Sequence, residues 1–83
     1  GKIDFFSRMR QQIYLESGDN EKALKSAVEL VNEAPYDPAN QIALAEVYAV
    51  MGADSLADAT YNTAINLDKT NSDSWFGYAS FLV

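Results

Sequence analysis

Between Pro38 and Met51 the apolar residues Ile42, Leu44, Ala45, Val47, Tyr48 and Met51 fall mostly three and four positions apart. That spacing lays a broad apolar stripe along one side of an α-helix. Helices are the only element the pattern supports anywhere in the chain, and their ends are marked. Asp37 stands before Pro38 as an N-cap followed by proline at the first helical position, where the missing N–H costs nothing. Gly18 and Gly52 each close a helical pattern, where the left-handed backbone would cost a residue with a side chain about 1 kcal/mol. Asp19 or Asn20 then caps the helix after the first glycine, and Asp54 or Ser55 the helix after the second. The pattern predicts helices over 3–17, 20–33, 38–51, 54–67 and 72–83, the last opened by Ser72. Connections this short make neighbouring helices antiparallel.

The stretch "YLESGDNEKALKSA", 14–27, overlays "YAVMGADSLADATY", 48–61, without a gap. Tyr14 falls on Tyr48, Gly18 on Gly52 and Ala23 on Ala57, each 34 residues apart. A fixed period of that size signals stacked units that cannot bury their apolar faces singly. Ala45 and Ala79 in the first helix of their units, and Ala23 and Ala57 in the second, are small where two backbones must approach, with Tyr48 and Tyr61 filling the space beside them. A leucine at Ala57 is expected to overpack such a contact by about 1–3 kcal/mol.

With 83 residues the chain forms one small domain, whose core only narrowly outweighs its ordering entropy unless it stacks on something. A formal charge of −6 without histidine argues against an electrostatic grip on nucleic acid or an anionic membrane surface. From residue 26 onward Lys69 is the only base, against Glu29, Glu33, Asp37, Glu46, Asp54, Asp58, Asp68 and Asp73. That acidic part would suit a basic partner, but it reads first as a solvated surface whose charge keeps the protein dissolved. The absence of cysteine removes disulfides, thiolate metal sites and thiol nucleophiles, and leaves the redox compartment open. No apolar run approaches a membrane span, so no membrane insertion is expected. Lacking histidine, the chain has no Ser-His-Asp triad and no imidazole base, and it carries no phosphate-binding glycine loop or calcium loop. Asp54 and Asp58, one turn apart, make a carboxylate pair on what should be a solvated face. No catalysis, cofactor or metal is expected. The chain stops on apolar "SFLV" and reads as a fragment of a longer protein.

These residues resemble the tetratricopeptide repeat, whose pattern is W-x-x-L-G-x-x-Y in one helix, A-x-x-x-F in the next and a closing proline over 34 residues. Residues 38–71 offer Gln41, Leu44, Ala45, Tyr48, Ala57, Tyr61 and Ala64 at the matching places. The partial unit after it offers Trp75, Tyr78, Ala79 and Leu82, and the unit before it Tyr14, Gly18, Ala23, Ala27, Leu30 and Pro35. Gln41 replaces the tryptophan, Lys69 the closing proline, and Ser7, Arg10 and Gln11 depart from the pattern. The resemblance implies an all-α fold of antiparallel helix-turn-helix repeats stacked as an α-α superhelix, a solenoid of about two and a half units. These are a first repeat over 1–37, a second over 38–71 and the first helix of a third over 72–83.

By that resemblance, the first helix of each unit lines a concave wall that binds an extended peptide or a partner's helix. The wall positions are Phe5, Arg8, Gln12 and Glu16, then Ala39, Ile42, Glu46 and Val50, then Asp73, Phe76 and Ser80. The basic clamp that chaperone-cofactor members use for a terminal carboxylate is not expected, because Arg8, Gln12, Ala43, Asp73 and Gly77 occupy its places and only Arg8 is basic. Two functions stay open at this point. One is a module that binds a protein or peptide partner through the wall. The other is a spacer in a longer solenoid, stacked on neighbouring units of its own chain, forming homo-oligomers through its apolar ends and made monomeric by a charge at Phe81. Phe76 and Ile42 are equally placed to be core against a neighbouring unit, Trp75 to be a packing residue, and Arg8 to pair with Glu16 or Asp4.

Overall fold

The computed structural model describes Ile13 and residues 18–83. Those residues form four α-helices packed on one another: α1 (Asn20–Glu33), α2 (Pro38–Val50), α3 (Asp54–Leu67) and α4 (Ser72–Leu82). Each lies within one residue of the span its sequence pattern predicts. The helix expected over 3–17 lies outside the described residues, apart from Ile13, which is helical and exposed.

The caps explain the boundaries. Asp19 accepts from the Lys22 amide at 3.2 Å, Asp37 from the Ala39 amide at 2.9 Å, and Asn71 from the Asp73 amide at 2.9 Å. Asn71 thus opens α4 one residue before the expected Ser72. Neither Asp54 nor Ser55 caps α3; its N-cap is Ala53, which has no side-chain acceptor, and Asp54 sits in the first turn. There its charge faces the positive end of the helix dipole. The reason lies in the preceding turn. Gly52 adopts φ 79°, and the Ala53 amide reaches back to the Tyr48 carbonyl at 2.9 Å while the Gly52 amide bonds the Ala49 carbonyl at 3.1 Å. This Schellman closure commits Ala53 to the end of α2 and the start of α3 together. Gly18 has φ 80°. A Cβ at either glycine would meet nothing within 4 Å, so the backbone angle, not space, demands glycine.

Helix α2 packs against α1, α3 and α4, and α3 against α4. Ala23 and Ala27 of α1 meet Leu44 and Val47 of α2, with Leu24, Val31 and Tyr48 packed around them. Ala45 and Ala57 are both wholly buried, as their small size anticipates. Past them Tyr61, 3% exposed, gathers Tyr78 and Phe81 with ring centroids 5.9 and 5.5 Å away, separations at which aromatic pairs attract. Phe81, half-buried, is therefore packed into an aromatic cluster with Tyr61 and Tyr78. Ala79, expected at a close helix approach, is exposed because no described helix packs on that side of α4.

The 34-residue period recurs in the hydrogen bonds. Ala34 donates to Leu30, Asp37 to Ala34 and Asn40 to Asp37; one period on, Asp68 donates to Ala64, Asn71 to Asp68 and Ser74 to Asn71. Side chains follow the same register. Gln41 Nε2 donates to the Pro35 carbonyl at 2.9 Å, and Trp75 Nε1 to the Lys69 carbonyl at 2.7 Å. Gln41 thus does with its amide what the indole N–H does a period later. The register breaks at one pair. Asn40, 1% exposed, donates to the Leu30 and Ala34 carbonyls at 3.1 and 3.3 Å, whereas its counterpart Ser74 is wholly buried and its hydroxyl has no partner. Among the described residues no helix is long and apolar enough to cross a membrane.

Candidate functional site

Two helical stripes carry the predicted wall positions that fall within the described residues. On α2, Ala39, Ile42 and Glu46 are half-buried and Val50 is 57% exposed. On α4, Asp73 and Ser80 are exposed and Phe76 is 76% exposed. Phe5, Arg8, Gln12 and Glu16 lie outside the described residues.

A glycine joins the stripes. Gly77 shares a helix face with Asp73 and Ser80, being four residues from one and three from the other. A Cβ built there would lie 3.1 Å from Tyr61 Cε1 and 3.8 Å from Ile42 Cγ2. The missing side chain lets α4 settle onto the Tyr61 ring with Ile42 alongside. Ile42, half-buried, lies beside this close approach, which answers in part whether it is core or surface. Phe76, by contrast, has nothing comparable over it.

The electrostatics are one-sided. Burial pushes the Glu46 carboxyl above the ordinary carboxylate range. Burial, with the Glu46 charge second, pushes the Tyr61 phenol up as well. The cations among the described residues are Lys22 and Lys25 on α1 and Lys69 between α3 and α4; α2 and α4 carry none. Of the positions where the basic clamp would stand, Ala43 is buried, Asp73 is acidic and Gly77 has no side chain.

Other polar groups near the stripes are engaged in holding the fold. Tyr78 donates its hydroxyl to Asp58 Oδ1 at 2.6 Å, a bond that raises the Tyr78 phenol above its ordinary range, and Asn62 Nδ2 reaches Asp58 Oδ2 at 3.4 Å. That contact engages Asp58, one member of the carboxylate pair the sequence offers, with α4. Trp75, half exposed, is tied through its indole N–H to Lys69. Sequence reasoning passed over Asn40, the packing role of Gly77 and the burial of Glu46. The one available signal was register, since Gln41 and Trp75 share a place in the period and both end in an N–H donor. No protein-family model matches this chain, and no curated protein is significantly similar to it.

Proposed function

We propose that the chain is a non-catalytic recognition module of the tetratricopeptide-repeat kind, binding an extended peptide or a helix of a partner protein along the paired stripes of α2 and α4. The close approach of α4 to α2 where Gly77 faces Ile42 carries this reading. It brings the two stripes together at that point, and Val50 and Phe76 stand in solvent on them. Large apolar side chains held out by a fixed backbone are what a binding wall needs, because burying them on a partner contributes about 1.5–3 kcal/mol each. The 34-residue register of the caps, the turn glycines and the Gln41 and Trp75 bonds supports the family reading.

The test is selection from a displayed library of random extended peptides against the 83-residue chain, followed by Phe76→Glu and Val50→Glu. Selected peptides should lose binding to both variants while far-UV circular dichroism stays unchanged. Peptides that bind both variants as they bind the parent refute the proposal.

A second reading, the self-associating spacer, draws on α4, where Trp75, Phe76, Ala79 and Leu82 are all exposed. Since Phe81 is half-buried against Tyr61 and Tyr78, the exposed Leu82 is the cleaner probe, as Leu82→Lys. A parent mass that rises with concentration, restored to monomer by Leu82→Lys, favours the spacer. A monomer at every concentration counts against it.

A further inference from the structure

Among the described residues, no cation lies on α2, which carries Glu46, or on α4 beside it. Ile42 lies one turn before it and Val50 one turn after. The cations among the described residues are all on α1 or in the connection after α3. Its coupled neighbour, Tyr61, is itself an acid. Half-burying a carboxylate without a cation or hydrogen-bond donor is unfavourable. The stacking does not require it, since the same register of α4 holds Ser80, which is exposed.

We propose that Glu46 is a specificity residue of the wall, receiving the lysine or arginine of an otherwise apolar, extended segment of a partner protein laid along α2. This rests on the recognition reading above and adds the chemistry of the partner. Ile42, Glu46 and Val50 are each four residues apart, about 6 Å along the helix at 1.5 Å per residue. Alternate residues of an extended peptide are about 6.7 Å apart and point the same way. The segment that fits reads apolar-x-Lys/Arg-x-apolar, with its outer residues on Ile42 and Val50 and its cation on Glu46. An acidic residue at the centre is rejected by Glu46 and finds no relief on the other stripe, where Asp73 is the charged group.

The test is a two-dimensional NMR titration of the isotope-labelled 83-residue chain with four blocked heptapeptides, Ser-Leu-Ser-Xaa-Ser-Leu-Ser. The centre Xaa is Lys, Arg, norleucine or Glu. The Lys and Arg peptides should shift amides on α2 and α4 and bind about tenfold more tightly than the norleucine peptide, the worth of one charge-assisted contact. That advantage should vanish in Glu46→Gln, which keeps size and helix while removing the charge. Equal binding of the Lys and norleucine peptides overturns the role of Glu46 and leaves the recognition reading standing. An advantage that survives Glu46→Gln also overturns it. If no heptapeptide shifts the spectrum, the proposal fails, and the recognition reading fails with it only when the random library also yields no peptide that depends on Phe76.

Discussion

Replacing Asn40 with alanine removes two hydrogen bonds that tie the start of α2 to the end of α1, the buried one to the Leu30 carbonyl at 3.1 Å and the part-buried one to the Ala34 carbonyl at 3.3 Å. Each is worth about 0.5–1.5 kcal/mol net, and the longer one belongs at the lower end of that range. The carboxamide is 1% exposed, so its removal also leaves a small void. Together these predict a loss of about 2–3 kcal/mol. At about 0.05–0.15 kcal/mol per residue, a chain of 83 residues has roughly 4–12 kcal/mol in all, so the loss is a substantial share. The natural counter-experiment is Ser74→Asn. The acceptors one period on, Ala64 and Asp68, already take the same backbone bonds as Leu30 and Ala34 do, and Ser74 is buried with an unpartnered hydroxyl. An asparagine there should restore both bonds and stabilise by about 1 kcal/mol. Urea unfolding followed by circular dichroism measures both, and a melting temperature moving about 4–8 °C per kcal/mol in a chain of this length offers a check. An Asn40→Ala midpoint indistinguishable from the parent at equal slope would refute the reasoning. A destabilised Ser74→Asn would show instead that α4 sits closer to α3 than α2 does to α1.

Three further outcomes are expected. Gly52→Ala, forced to φ near 79° with free space around its Cβ, should cost about 1 kcal/mol in chemical denaturation purely through the backbone. Ala57→Leu, placed at a wholly buried contact, should cost about 1–3 kcal/mol and sharpen proteolysis between α2 and α3. Glu46→Gln should be more stable than the parent at neutral pH. Because burial raises the folded carboxyl above its unfolded value, with the Tyr61 phenol as its coupled neighbour, the protonated form is favoured on folding. The parent's deficit therefore opens as pH rises through the unfolded and then the folded value, and closes on acidification below both. Thermal melts across that range check it, and a gap independent of pH would be the contrary result.

The helices were legible because apolar spacing, an Asp-Pro start and turn glycines are local signals. Asp37, Gly52 and Ala57 behave as their neighbours in sequence predict. What escaped is non-local. Asn40 and Gln41 are polar breaks in an apolar pattern, and their amides reach carbonyls six to ten residues upstream, which periodicity does not register. Phe81 reads as an exposed end because its partners Tyr61 and Tyr78 belong to two different helices. Gly77 matches no turn pattern, and its role emerges only from Tyr61 lying across it. Of the candidate site, the residue types and the register came from the sequence, whereas the half-burial of Glu46 near Tyr61 needed the packed helices.

The bonds from Asn40 and Gln41 back to residues 30–35 have a mechanical consequence. Apolar packing of α2 on α3 limits separation but tolerates small rotations, whereas directional bonds to three carbonyls fix an angle. The joint at residues 34–41 has three side-chain bonds to upstream carbonyls, and the equivalent joint at 68–75 has one, from Trp75, with Thr70 bonded to Asp68 inside the turn. Stiffness is therefore graded along the chain, with a braced hinge before α2 and a looser one before α4. A ligand spanning both stripes would do its adjusting through the swing of α4, with α2 as the fixed jaw.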